Sequence, residues 1–276
     1  MIDEFYNIIG NVGTALQHLI FPMLFFFLFA YLLKRKQAVT AFRTCLPNSI
    51  FNISIMCFNL IFISLISSHL KWLYSIDIGE NLSQIWASLP EWLVILSATF
   101  CGDFIGYWRH RFEHSRILWP SHAMHHSDTQ MSWLTLQRFH PFNRMSTLII
   151  DTGLLMCLGF PPYALVANNL IRHYYGYFIH ADLPWNYGAW NKVFVSPVMH
   201  QWHHAAEPAA YNTNFATIFS IFDRAFGTYR VPGLCHIPLG VPYNVGGNIL
   251  GQLLYPFKLS SYLKKSKAPQ AKSIDT

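Results

Sequence analysis

The chain has 276 residues, a net charge of +6, and a composition that is 53% hydrophobic, 17% aromatic and only 12% charged. Soluble proteins carry about 25% charged residues, so this composition argues against a soluble protein and favours a membrane protein. The basic residues flank apolar segments instead of forming a solvated face, so we expect no nucleic-acid partner.

Three apolar stretches in the first 110 residues predict membrane helices: 14–33, 46–70 and 92–108, the last interrupted only by Asp103. About 20 apolar residues are needed to span the hydrocarbon core. Acidic residues precede the first stretch and no small-residue cleavage site follows it, so we expect a retained helix and not a signal peptide. The basic cluster after it (Lys34, Arg35, Lys36 and Arg43) places the first loop in the cytoplasm and the N-terminus outside.

Residues 145–178 are apolar again and are broken in the middle by Gly159-Phe160-Pro161-Pro162. Glycine and proline punctuate a helix here, so we predict a helical hairpin that enters the membrane and returns to the same side. The fold class that follows is all-α. We expect an integral membrane protein with about four to five membrane helices and a cytosolic helical cap. The predicted organisation is one domain, 1–263, with a disordered basic tail at 264–276.

Eight histidines form three groups at helical spacing: His110 and His114; His122, His125 and His126; and His200, His203 and His204. Spacings of three and four residues put side chains on one helix face, and imidazole is the commonest protein metal ligand. His180 joins this set as a ninth ligand, and His140 is a further candidate. The remaining four histidines (His18, His69, His173 and His236) have no partner at ligand spacing, which favours local roles for them.

The donor set indicates two metal ions. The chain contains no HExxH sequence, which argues against a zinc protease, and no glutamate precedes a histidine by three residues, unlike carboxylate-bridged di-iron bundles. Eight or nine imidazoles are too many for a single ion but suit two. Iron with open positions activates dioxygen, whereas zinc has no redox chemistry. The five cysteines form no CxxC pair, so neither a disulfide framework nor a thiolate site is expected.

These three sets of histidines, called the first, second and third box in chain order, resemble the histidine boxes of the fatty acid hydroxylase/sterol desaturase superfamily of integral-membrane di-iron oxygenases. The resemblance covers residues from about 90 to 230, and its further elements are Arg138-Phe139-His140-Pro141, His180-Ala181-Asp182-Leu183-Pro184 and Phe222-Asp223-Arg224-Ala225-Phe226-Gly227-Thr228-Tyr229. The chain departs from the family pattern at Phe222, where tryptophan is usual, at Asn143, where glutamate often follows the His-Pro, and at Asn214-Phe215, which lacks a glycine.

The resemblance implies two iron ions, dioxygen as co-substrate, and hydroxylation or desaturation of a lipid C–H bond. An acyl chain, an alkyl ether lipid or a sterol ring would serve as substrate, and zinc is an alternative occupant in purified protein. Asp103 lies seven residues before His110 and Asp223 lies in the closing element. We expect both carboxylates to accept a hydrogen bond from a ligand imidazole; the alternatives are an interfacial position for Asp103 and a helix cap for Asp223.

Electrons must come from outside the chain, because it shows no dinucleotide-binding glycine pattern, cysteine cluster or appended haem module. A cytochrome b5-like protein, a ferredoxin or a reductase would supply them. Such a donor, or phosphate headgroups, would meet a basic rim formed by Arg109, Arg111, Arg116 and Arg138. Two other functions stay open: a metal transporter, which predicts histidines along a pathway inside the spans, and a membrane dihaem cytochrome.

Overall fold

The structure is a computed structural model that describes residues 2–34, 36–67 and 80–263. The predicted tail, 264–276, lies outside the described residues. The described part is all-α, as predicted, and its extended pairing is limited to two isolated bridges. The helices are α1 Ile2–Lys34, α2 Lys36–Ser67, α3 Glu80–Ala87, α4 Glu91–Glu113, α5 Trp119–His126, α6 Pro141–Ser146, α7 Gly153–Cys157, α8 Pro162–His180, α9 Pro197–His204, α10 Ile221–Ala225, α11 Ile249–Leu253 and α12 Leu259–Leu263.

Helices α1 and α2 pack against each other and expose apolar side chains. Among the described helices, these two contain segments long and apolar enough to cross a membrane, Gly10–Phe29 and Arg43–Ile66. Phe21 is 72% exposed and Ile50 is 58% exposed. A continuous apolar surface of this kind marks contact with lipid or with another apolar partner.

The centre of the fold is α4, which packs against α8 along its length. Gly102 of α4 faces Asn168 of α8, and Gly106, four residues later, faces Arg172, also four residues later. Because the contacts advance together along both helices, the two helices run in the same direction and their carboxyl ends meet. Because glycine has no Cβ, the two polar side chains of α8 lie directly against the α4 backbone.

The predicted hairpin is present between α4 and α8. A π-helical segment, Thr147–Thr152, joins α6 and α7 into one helical stretch that runs back along α4. The stretch ends at Cys157; Gly159 then adopts a φ of +72°, and α8 begins at Pro162. Glycine at positive φ and proline in the first turn are what a helix end followed by a new helix requires.

The carboxyl ends of α4 and α8 are covered by α5, α9, α10 and the segments between them. The core of this region contains Tyr107, Ile179, Met199, Phe215 and Phe222, all buried. All nine histidines proposed as ligands lie between this covering region and the helix ends.

Candidate metal centre

Four helices deliver the nine histidines. Helix α4 supplies His110 and His114 in its last turn and just beyond it, and α8 supplies His180 as its last residue. The other six lie on the two short helices α5 and α9, each with a proline in its first turn. In α9, the Ser196 side chain accepts the Met199 N–H at 3.2 Å, which caps the helix four residues before His200, the first residue of the third box.

The nine side chains converge in two groups. Within each group, one ring nitrogen per residue lies within 4.8 Å of the corresponding nitrogens of the others. The five-histidine group is His110, His114, His122, His126 and His203, and the four-histidine group is His125, His180, His200 and His204. Each of the two HxxHH boxes contributes to both groups, so neighbouring histidines in the sequence face different groups.

The tenth candidate, His140, belongs to neither group. Its Nδ1 accepts the Phe142 N–H at 3.2 Å, at the start of α6, and its Nε2 lies 3.0 Å from the Leu253 carbonyl. This histidine therefore caps a helix and fastens the C-terminal segment.

The separations between ring nitrogens suit ligands of a common ion. The Nε2 atoms of His110 and His122 are 3.1 Å apart, and those of His180 and His200 are 2.9 Å apart. A histidine–metal bond is about 2.0–2.1 Å long, as for zinc, so two nitrogens at right angles on one ion lie about 3 Å apart.

The hydrogen bonds of the ring nitrogens that point away from the histidine groups support the same assignment. His110, His180 and His203 each place Nδ1 2.7 Å from a backbone carbonyl, of Phe215, Gly176 and Thr213 respectively. A carbonyl only accepts, so the proton lies on Nδ1 and a lone pair on Nε2 points into the group. Facing lone pairs repel unless a cation lies between them, and the buried Nε2 of His203 has no hydrogen-bond partner. The residues therefore fit a bound metal.

Burial also keeps the imidazoles in their ligand form. Burial, together with the repulsion of neighbouring imidazolium groups, lowers the pKa of His125, His126, His200 and His204 well below its ordinary value. Burial lowers the pKa of His203 to about 3. These rings are neutral at physiological pH, which is the state that binds a metal.

The carboxylate that contacts a box histidine is Glu113. Its Oε2 lies 3.2 Å from Nδ1 of His122, and its Oε1 accepts from Ser146 at 2.6 Å and from Arg109 at 3.0 Å. The Asn143 amide lies 3.4 Å from the same Nδ1 of His122. Glu113 lies inside the first box, but spacing alone did not single it out, because its partner is on another helix.

Asp103 and Asp223 were expected to accept a hydrogen bond from a ligand imidazole, but in the described part of the chain their hydrogen bonds go to backbone amides instead. Asp103 is fully buried and accepts the backbone N–H groups of residues 217–219 at 2.8–3.3 Å. Asp223 accepts those of Phe215 and Ala216 at 2.7 and 3.0 Å. Both carboxylates therefore fix the segment 215–219, whose first carbonyl accepts from His110. They act on the ligand set through the backbone.

The basic rim is also smaller than predicted. Arg109 is partly buried and pairs with Asp151 through two hydrogen bonds, the shorter of 2.7 Å, and Arg172 pairs with the same carboxylate at 2.8 Å. Arg138 is buried and lies over the Phe51 ring. Only Arg111 and Arg116 of the predicted rim remain outside this interior. Asp151 lies in the π-helical segment, a feature frequent at functional sites.

Two openings reach the histidines from opposite sides. The inner cavity, about 340 Å³, lies between α2, α4, the π-helical segment and α8, and it touches both groups through His122, His125 and His180. The outer cleft, about 290 Å³, reaches only the five-histidine group, through His114, His126 and His203. Arg116 and Tyr211 are among the other residues that line the outer cleft.

Comparison with known proteins agrees with this site. The fatty acid hydroxylase family matches residues 95–228, which include all nine histidines. The chain is 28% identical to ornithine lipid hydroxylase OlsE of Rhizobium tropici over 63% of its length, and 30% identical to alkylglycerol monooxygenase of Danio rerio over 61%. It is 26% identical to a Delta(7)-sterol 5(6)-desaturase of Gibberella zeae over 56%.

These matches span 54%, 38% and 42% of the three relatives, so about half or less of each is represented. No solved structure matches the chain significantly. The matched segment coincides with α4 to α10 and with both histidine groups. Residues 95–228 therefore match the fatty acid hydroxylase family, and the similarity to these relatives supports the fatty acid hydroxylase/sterol desaturase superfamily for this part of the chain.

Proposed function

We propose that this chain is a membrane lipid oxygenase that uses two iron ions, dioxygen and external electrons to hydroxylate a C–H bond of a lipid. The observation that carries the proposal is the convergence of nine imidazoles, seven of them buried, into two groups beside the inner cavity. The names of the relatives, which act on ornithine lipids, alkylglycerols and sterols, support a lipid substrate.

In this proposal one ion is held by the five-histidine group and the second by the four-histidine group. When bound, the iron pair supplies the activation of dioxygen that C–H oxidation requires. The chain's own residues orient the rings. The carbonyls of 176, 213 and 215 accept the Nδ1–H groups of His180, His203 and His110, and the Glu113 carboxylate lies 3.2 Å from Nδ1 of His122. Zinc in purified protein would change the chemistry and leave the ligand set as proposed.

The inner cavity would bring the substrate to the metals. It lies between helices whose outer faces are apolar, so a fatty acyl chain, an alkyl ether chain or a sterol ring enters it without crossing water. Hydroxylation is favoured because the relatives of Rhizobium tropici and Danio rerio are named a hydroxylase and a monooxygenase. Desaturation is the second candidate, supported by the match to a sterol desaturase.

We also propose four to five membrane helices, with the boxes on the cytoplasmic side, in one unit of 1–263. Besides α1 and α2, helix α4 exposes an apolar residue every four positions (Trp92, Leu96, Phe100, Phe104, Trp108 and Phe112). Helix α8 exposes Val166, Leu170 and Tyr174 in the same way. These stripes face away from the site and suit lipid contact.

A topology assay tests the arrangement. Reporter fusions after Lys36, Asn81, Asp128 and Ala206 should read inside, outside, inside and inside. An outside signal at Ala206 would mean that the hairpin crosses the membrane only once, and the shared site would be impossible.

The electron donor is proposed to be a separate protein, of the cytochrome b5, ferredoxin or reductase type. Arg111 and Arg116 are the charged residues of the predicted rim that are placed to meet it. The transporter alternative is disfavoured because the histidines cluster at the ends of α4 and α8 and do not line a path along the described helices. Absence of a Soret band would dispose of the dihaem alternative.

The decisive test of the activity is a lipid comparison. Cells that express the chain should contain lipids heavier by one oxygen atom, and cells that express a His180→Ala variant should not. The variant must accumulate to the same level in the membrane, as judged by immunoblotting. Identical lipid profiles in the two strains would contradict the proposed oxygenase.

A further inference from the structure

The inner cavity contains more charge than a passage for a hydrocarbon requires. Arg109, Glu113, Arg144, Asp151 and Arg172 all line it. Both carboxylates are already neutralised, because Glu113 pairs with Arg109 at 3.0 Å and Asp151 pairs with Arg109 and Arg172 at 2.7 and 2.8 Å. The lining therefore offers no free negative charge to a ligand.

Arg144 is the arginine of the cavity lining for which the structure shows no direct ion pair. Its Nη2 donates to the side-chain carbonyl of Gln137 at 2.7 Å and is 3.4 Å from the Leu136 carbonyl, and the guanidinium carbon lies 5.0 Å from the Phe139 ring centre. Among the residues that the structure describes, no carboxylate lies within 4.0 Å of this guanidinium. Neutral acceptors thus hold one edge of the group, and no carboxylate of the described residues contacts it directly.

A partly buried charge without a counterion in direct contact has a cost that the fold must offset elsewhere. A ligand anion would remove that cost and would also match the planar donor fork of an arginine, which binds carboxylate and phosphate through two parallel hydrogen bonds. A neutral or cationic ligand would do neither.

We propose that Arg144 binds an anionic group of the lipid substrate, a carboxylate or a phosphate, within the inner cavity. The assignment rests on the proposed lipid oxygenase and specifies its substrate class. It makes Arg144 a specificity-determining residue that distinguishes lipids with an anionic end from neutral alcohols, ethers and sterols of similar length.

The position of Arg144 also sets which part of the lipid meets the metals. It follows Asn143, whose amide is 3.4 Å from Nδ1 of His122, and the same cavity touches His125, His180 and His200. At about 340 Å³ the cavity is near the lower end of ligand-pocket volumes, about 300–1,000 Å³, so one chain or one headgroup fits and a whole two-chain lipid does not. A lipid held by its anionic end would present carbons near that end, not the middle of its chain.

Three probes with one alkyl chain test the assignment: laurate, dodecyl phosphate and dodecanol. Binding to the purified, metal-loaded full chain would be measured by calorimetry for wild type, Arg144→Gln, Arg144→Lys and Arg224→Gln. Arg224 is an exposed arginine outside the cavity and serves as the matched control. A charge-assisted hydrogen bond is worth about 1.5–3 kcal/mol, so Arg144→Gln should weaken binding of both anions about 10–100-fold.

The affinity for dodecanol should not change in Arg144→Gln. The affinity of Arg144→Lys for the two anions should lie between those of wild type and Arg144→Gln. Arg224→Gln should bind all three probes as wild type does. Equal weakening of all three probes, with a lowered melting temperature, would show that Arg144 only supports Gln137 and would overturn the assignment. Unchanged anion binding in Arg144→Gln would also overturn it. A chain that binds laurate through Arg144 yet oxidises no lipid would contradict the proposed function and not this assignment.

Discussion

Replacement of Glu113 by glutamine should weaken one metal position and leave the other intact. In the wild type, Oε1 accepts from Ser146 at 2.6 Å and from Arg109 at 3.0 Å, while Oε2 faces Nδ1 of His122 at 3.2 Å. Glutamine has one oxygen and one NH2 group. Because Ser146 and Arg109 both donate, the oxygen stays with them and the NH2 group turns toward His122.

That reversal changes which ring nitrogen of His122 carries the proton. A donor facing Nδ1 requires Nδ1 to accept, so the proton moves to Nε2, the atom that lies 3.1 Å from Nε2 of His110. His122 then no longer offers a lone pair to the five-histidine group. Substitutions of residues that orient a metal ligand cost about 10–100-fold in affinity or activity, or about 1.4–2.7 kcal/mol. Arg109 keeps its two hydrogen bonds to Asp151, so its charge remains paired.

The assay is titration of the purified chain with buffered ferrous iron in the absence of oxygen, from which the affinities of the two binding steps are measured separately. Glu113→Gln should weaken one step about 10–100-fold and leave the other unchanged, and its melting temperature without metal should stay near the wild-type value. Glu91→Gln, an exposed change at the opposite end of α4, is the control. Two wild-type affinities in Glu113→Gln would refute the role given to this carboxylate.

Three further predictions follow from other contacts. Asp223→Asn turns its NH2 group toward the backbone N–H of residue 215 or of residue 216, whichever its oxygen does not accept. It should therefore lower stability to denaturant by about 1–3 kcal/mol; a wild-type midpoint would contradict this. Gly106→Ala places a Cβ against Nη2 of Arg172, which is held by its ion pair with Asp151, and should cost about 1–3 kcal/mol through overpacking, measured in the same way. Gly153→Ala meets open space and should be neutral or stabilising by up to about 1 kcal/mol; an equal loss in both alanine variants would contradict the close packing of α4 on α8.

The sequence predicted the histidine set well because that information is local. Spacings of three and four residues on α5 and α9 fix which rings share a helix face, and the hairpin breaks where Gly159 and two prolines require it. The all-α class follows from the same periodicity. His140 was a further candidate without a partner at that spacing, and its contact with Leu253, more than one hundred residues away, shows that it supports the fold instead.

The supporting residues could not be predicted in this way because their partners are distant in the chain. Asp103 and His110 are close in sequence, and one helix face suggested a direct contact. In the structure Asp103 instead meets backbone amides more than one hundred positions later. The pairing of Arg109 with Asp151 likewise depends on the π-helical segment, which no spacing rule indicated.

Each of the two HxxHH boxes also divides its histidines between both groups, and this division could not be predicted from the spacing of the histidines. His125 and His126 are neighbours in the chain, yet they belong to different groups because successive residues of a helix point in different directions.

The stoichiometry of bound metal tests the central claim most directly. The chain, purified from membranes and reconstituted with ferrous iron without oxygen, should hold two ions per chain by elemental analysis. Replacement of His122 and His126 should remove one ion, and replacement of His180 and His200 should remove the other. One ion or none in the wild-type chain, with all nine histidines intact, would contradict the two-metal account.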